Sequence, residues 1–139
     1  MMLKDPFLND PFDPSLMWFI GVFDVYDREH NLGQELEKYD PNNKEDRKTL
    51  IQNYALNLNY LSYRHKHTLT EALKNALDDE NYDFQGLFEI DEDEHISWPR
   101  NEWYELDSPR EFLKDVYLLA QTYWKEELYS ASLETPSQW

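Results

Sequence analysis

The chain has 139 residues, with 29 acids against 13 lysines and arginines, a formal net charge of −16 and no cysteine. That length suits a single domain around one core, and the missing thiols exclude disulfides, cysteine nucleophiles and thiolate metal sites. Phosphate backbones are recognised by lysine and arginine, so direct nucleic-acid binding is not expected of so acidic a chain.

The opening stretch, "MMLKDPFLNDPFDPS", carries three aspartates and one lysine, unlike the basic start of a secretory leader. Residues 1–13 are read as an extended segment. The longest apolar run, Leu16 to Phe23, has eight residues, far short of the roughly 20 that cross a bilayer. A cytoplasmic protein without membrane contact is expected. "SLMWFIGVFDVYD" fits two periods. As a helix it has Asp13 as cap, Pro14 at the first position and a stripe of Leu16, Phe19, Ile20 and Phe23. As a strand it has β-branched and aromatic residues around Gly21. The helix is the preferred reading.

Helical spacing of Leu50, Ile51, Tyr54, Ala55, Leu58 and Leu61 predicts a helix through "NKEDRKTLIQNYALNLNYLSYRHKH", with acids near its start and Arg64 and Lys66 near its end. "TLTE" at Thr68–Glu71 reads as a capping box opening a short helix with Leu69, Ala72, Leu73, Ala76 and Leu77 on one face. "YDFQGLFEI" and "HISWPRNEWYEL" read as two short aromatic strands around an acidic turn, Asp91 to Glu94, with Pro99 at an edge or bulge. "SPRE" at Ser108–Glu111 is a second box with proline at the first helical position. It opens a helix carrying Phe112, Leu113, Val116, Tyr117, Leu119, Ala120, Tyr123, Trp124 and Leu128. Residues 130–139 are expected to be a flexible tail. The predicted class is α+β, mostly α: a single domain, 1–139, built as a three- or four-helix bundle with a small acidic β-hairpin.

The charge is concentrated. Between Asn75 and Asp107 twelve acids face Arg100 alone, a net −11 within a quarter of the chain. Self-repulsion of that size opposes compaction and is commonly kept for solubility or for attraction to a cationic surface. A calcium loop counted from Asp91 would use Asp93, His95, Ser97 and Glu102, but its turn position, normally glycine, is Ile96. His65 and His67 are two apart and diverge on a helix, so they are read as exposed residues at a helix junction. His30 and His95 are isolated. With three glycines, no nucleophile elbow, no phosphate loop and no HExxH, neither an enzyme nor a metal or other cofactor is expected.

Aromatic residues are abundant: five Trp, ten Tyr and seven Phe. Tyr54, Phe112, Tyr117 and Tyr123 fall on helical stripes and are read as core. Trp98, Trp103 and Tyr104 alternate with acids, as ring anchors inside a charged rim do at protein interfaces. The candidate partner-binding residues are Asp83, Glu89, Asp91, Glu92, Asp93, Glu94, Trp98, Glu102, Trp103, Tyr104 and Glu105. Trp103, between Glu102 and Glu105, is the preferred projecting anchor, and packing of these rings onto the bundle is the competing reading.

Two functions fit. One is an inhibitor or immunity protein that docks on the basic cleft of a cytotoxic enzyme, a nuclease toxin above all. The other is a nucleic-acid mimic of the anti-restriction or anti-CRISPR type, acting on a DNA- or RNA-binding protein. A mimic needs carboxylates repeated along an elongated surface, whereas one dense segment interleaved with tryptophan favours the plug.

Overall fold

A computed structural model describes residues 3–89 and 96–139. Among them are six α-helices: α1 (Met17–Ile20), α2 (Gln34–Leu36), α3 (Lys44–Leu50), α4 (Tyr63–Asp78), α5 (Pro109–Tyr123) and α6 (Lys125–Ser132). α4 packs against α5 and α6, and the π turn that follows α3 packs against α5 and α1.

The helices start where side chains satisfy the first free N–H groups. The Asn43 side chain accepts from the Glu45 and Asp46 N–H groups at the head of α3, and Ser108 accepts from the Glu111 N–H at the head of α5. The expected helix from the Asn43 region to His67 is broken in two. After α3 the chain widens into a π turn, Ile51–Ala55, closed by the Leu56 N–H on the Ile51 carbonyl. The polar stretch through Asn57 and Asn59 then turns the chain. α4 begins at Ser62, which caps the His65 N–H while its own N–H donates to His65 Nδ1. Thr68 therefore lies inside α4, its hydroxyl donating to the Arg64 carbonyl, and opens nothing.

The N-terminal ambiguity resolves as one turn of α-helix continuing into a 3-10 turn, Gly21–Phe23. Leu16, Phe19, Ile20 and Phe23 are all buried as the helical stripe requires. The Asp13 cap does not form: α1 begins at Met17, whose N–H donates to Ser15 Oγ.

The expected β-hairpin is contradicted. Its turn and His95 lie outside the described residues, and both flanks are irregular, with 3-10 turns at Gln85–Leu87 and Asn101–Trp103. The only β pairing among the described residues is an isolated antiparallel bridge, Lys4 to Pro11. The physical reason is core formation. Phe88, Trp98 and Trp103 converge with Phe23 and Phe112, with Phe23 and Trp103 centroids 4.6 Å apart and Trp103 and Phe112 5.5 Å apart. A two-stranded ribbon would send alternate rings to opposite faces, whereas coiled segments let all of them reach one core. Large rings bury enough area to set the backbone course.

The C-terminal segment is held in place. Ala131 is buried, and Glu134 accepts from the Tyr63 hydroxyl, from Arg64 Nε at 2.9 Å and from the Trp139 indole at 3.1 Å. Trp139 also meets His67 edge-on. The expected tail is thus a clasp on the start of α4.

Two measurements test this account. Ser62→Ala should cost about 1 kcal/mol, as loss of a cap does, and lower Tm by about 3 °C, whereas Thr68→Ala should change stability by less than about 0.5 kcal/mol. Equal effects would return the helix start to Thr68. The Tyr63 hydroxyl, with the Arg64 guanidinium, holds the Glu134 carboxyl below its usual range. A carboxyl lowered on folding stabilises fully above its unfolded pKa, about 4.3, and loses that contribution as pH falls through the folded value. Glu134→Gln should accordingly have a lower Tm than the parent chain near neutral pH, with the gap closing below about pH 4.

Candidate protein-interaction surface

The acidic segment is held by hydrogen bonds to two other parts of the chain. The Val25 N–H donates to the Ser97 carbonyl at 2.8 Å, and the Ser97 N–H returns to Asp24 Oδ1 at 3.0 Å. Arg100 donates to the Glu37 carbonyl, and the Asp107 N–H to Asn42 Oδ1 at 3.0 Å. On the other side, Arg110 donates to the carbonyls of Leu77, Asp79 and Tyr82 while its guanidinium lies 4.7 Å from the centre of the Phe84 ring. Residues 96–107 are therefore fastened to residues 24–42, and the start of α5 to the end of α4.

That placement joins acids distant in sequence. Residues 24–46 hold eight acids against Arg28, Lys38 and Lys44. The Arg100 guanidinium feels Asp40 and Asp46 after its own partner Glu102, which it grips through Nε and Nη2 at 3.1 and 3.0 Å. The same grip lowers the Glu102 carboxyl below its usual range. The charge of Arg100 is thus matched locally.

The acids of this face divide by what they do. Asp83 accepts the Gly86 N–H and shapes the 3-10 turn, where a side chain at Gly86 would meet the Asp83 carboxylate at 3.0 Å. Asp79 accepts the Asn81 N–H and Asp40 the Asn42 N–H. Asp78, Glu80, Glu89, Glu105 and Asp107 are exposed, and their carboxylates make no hydrogen bond or ion pair to another described residue.

Of the candidate residues, Asp83, Glu89 and Glu105 are exposed, Glu102 is partly buried against Arg100, and Tyr104 is 43% exposed, its hydroxyl accepting the Trp98 N–H. Asp91, Glu92, Asp93 and Glu94 lie outside the described residues, as does His95, so that three of the five residues weighed as calcium ligands are not described. The tryptophans are not projecting anchors: Trp98 is 5% exposed and Trp103 fully buried. The Trp98 indole donates to the Phe88 carbonyl at 2.9 Å. The Trp103 indole N–H is buried with no partner among the described residues.

Other ring and histidine readings also change. Tyr123, expected in the core, is 56% exposed. His65 is buried in α4, its Nε2 2.6 Å from the Lys4 carbonyl. A carbonyl only accepts, so Nε2 carries the proton and Nδ1 accepts from Ser62.

Sequence reasoning missed a second exposed group. Phe7 is 67%, Leu8 61% and Tyr60 44% exposed, and Phe7 and Tyr60 meet with centroids 5.1 Å apart. Phe7 and Leu8 lie in a segment without periodicity, and Tyr60 falls beside the apolar stripe of the expected helix without belonging to it.

No helix of the described residues is long and apolar enough to cross a membrane. Trp103→Ala should destabilise by about 3 to 5 kcal/mol, as core ring truncations do. Trp103→Phe should cost less than Trp98→Phe, because the first removes an unpartnered donor and the second orphans the Phe88 carbonyl; urea melts of the three variants decide it. Comparison of the chain with protein-family models, with curated proteins and with solved structures finds no match in any of the three.

Proposed function

We propose that this chain is an acidic inhibitor or immunity protein that binds and neutralises a cytotoxic enzyme with a basic cleft, a nuclease toxin in the first place. The observation that carries the reading is the uncompensated acidic face. Glu89, Glu105, Asp107 and the acids at the end of α4 are exposed, the one arginine of their segment is matched by Glu102, and Asp40 and Asp46 add further acids near it. A surface of one sign raises the local concentration of its opposite and speeds encounter. The plug is preferred over the nucleic-acid mimic because the acids are concentrated in one segment, Asn75 to Asp107, instead of recurring along the chain.

In this reading the protein acts by occupying the cleft, without catalysis, metal or cofactor, and it works in the cytoplasm, where a chain without cysteine has nothing to lose to reduction. The exposed ring of Tyr104 is the aromatic contact at this face, and Trp98 and Trp103 hold the shape of the platform beneath it.

The test is co-purification from the native host followed by kinetics with the partner recovered. A basic nuclease inhibited by the chain supports the proposal; a restriction, CRISPR or transcription component would favour the mimic instead. With that partner, Asp78→Lys, Glu89→Lys, Glu105→Lys and Asp107→Lys combined should slow association by about tenfold or more at low salt and flatten its salt dependence. These carboxylates do not shape turns, so Tm should stay close to that of the parent chain. Unchanged association kinetics would remove electrostatic docking at this face.

A further inference from the structure

The N-terminal loop lifts apolar side chains into solvent while being firmly seated itself. The Lys4–Pro11 bridge closes it, the Phe12 N–H donates to the Leu3 carbonyl at 2.8 Å, and the Asp5 N–H to the Asp10 carbonyl at 2.8 Å. Asp5 Oδ1 takes the N–H groups of both Phe7 and Leu8, at 2.8 and 3.0 Å. Beneath, Phe12 is buried against the His65 ring at 4.7 Å, and His65 donates to the Lys4 carbonyl. The exposure of Phe7 and Leu8 is therefore imposed by a closed, hydrogen-bonded loop.

Phe7 leans on two further rings, Tyr60 and Trp18, the latter stacked at 6.5 Å and oriented by its indole N–H on the Asp13 carbonyl at 2.8 Å. Next to them lies an open groove of about 490 Å³ between Met17, Trp18, Gly21, Val22, Arg28 and Tyr60. At Gly21 nothing stands within 4 Å of where a Cβ would be. A continuous patch of exposed rings beside an unfilled apolar groove marks an interaction surface more often than an isolated exposed residue does.

Charge selects the occupant. Asp5 and Asp10 sit on the loop that carries Phe7, Asp13 holds the Trp18 indole through its carbonyl, and Asp24 and Asp27 precede Arg28, the charged residue that lines the groove. Lys4 is turned to Asn9 Oδ1 at 2.9 Å and Arg28 to the Asp24 carbonyl. A second copy of this chain would bring another net charge of −16 onto the same rings, which like-charge repulsion opposes. A segment bearing arginine meets both features, since guanidinium stacks on aromatic faces and is attracted by carboxylates around them. Asp24 and Val25 are in turn hydrogen-bonded to Ser97 on the acidic face.

We infer that the groove between Trp18, Gly21 and Tyr60, with the Phe7 ring resting on two of its lining rings, is the apolar anchor site for a basic partner, taking a protein segment in which arginine neighbours an apolar side chain. The inference rests on the proposed reading of the partner as basic and adds the anchor that the buried tryptophans do not provide.

The probe is a dye-labelled peptide alternating arginine with leucine, with a glutamate–leucine peptide as control, followed by fluorescence anisotropy on the full chain. Phe7→Ser with Tyr60→Ser removes the rings without changing charge, and Gly21→Leu fills the groove with the rings in place. Both variants should weaken the arginine peptide about tenfold or more, the scale of a lost anchor, with unchanged Tm, and the control peptide should not bind. If the four-lysine variant of the acidic face abolishes binding while these two do not, the anchor is overturned and the basic-partner reading stands. Indifference of the peptide to all three variants, or no binding to the parent chain, overturns the anchor and counts against the basic-partner reading. Equal binding of the glutamate peptide, or a dimer in sedimentation that Phe7→Ser with Tyr60→Ser dissolves, overturns the inference in favour of a charge-blind or self-associating patch.

Discussion

The structure depends on where a strongly acidic chain places its few cations. All five arginines donate to carbonyls or carboxylates, mostly of other segments: Arg47 to the Pro41 carbonyl at 2.9 Å and Asp115 at 3.2 Å, with Phe112 under its guanidinium; Arg64 to Glu134; Arg100 to the Glu37 carbonyl and Glu102; Arg110 to the end of α4; Arg28 to the Asp24 carbonyl. Lys66, 8% exposed, adds an ion pair to Glu127 across α4 and α6 and sits over Trp124. A buried cation is tolerated only when paired and hydrogen-bonded, and Arg47, Arg64, Lys66, Arg100 and Arg110 each tie stretches that are distant in sequence. Cations used as cross-links are matched inside the fold, which leaves the excess of carboxylates on the outside.

The same division explains what was legible in the sequence. α5 could be placed from "SPRE" because a cap, a proline and a stripe all act within a few residues, and local physics suffices. Ser62 was missed because its N3 partner is His65, a reciprocal acceptor outside the usual Glu or Gln, while "TLTE" matched the usual pattern at a place where the chain was already helical. The aromatic segments 82–90 and 95–106 alternate as a strand would, and the arrangement of their described residues, 82–89 and 96–106, depends on Phe23 and Phe112, far away in sequence. Period two in a short aromatic run does not by itself distinguish a ribbon from coils folded onto a core.

For the candidate surface, the sequence located charge and mislocated rings. Carboxylates prefer water wherever they fall, so Asp78, Asp79, Glu80, Asp83, Glu89, Glu105 and Asp107 are all exposed. A tryptophan flanked by acids carries no such preference: Glu102 and Glu105 stay outside while Trp103 turns fully inward, because a 3-10 turn at Asn101–Trp103 rotates neighbouring side chains to different sides. Phe7 illustrates the converse, an aromatic residue held outward by two N–H groups on Asp5.

Besides the acids paired with cations, Asp115, Glu134, Glu127 and Glu102, two further populations have different physical roles. Asp5, Asp24, Asp40, Asp46, Asp79 and Asp83 accept backbone N–H groups and fix turns; replacing them removes an acceptor as well as a charge, and any loss of binding would be mixed with a change of shape. Asp78, Glu80, Glu89, Glu105 and Asp107 contribute charge alone. Because these carboxylates make no hydrogen bond or ion pair to another described residue and add to self-repulsion, they are the positions at which a change of charge separates an electrostatic effect from a change of shape.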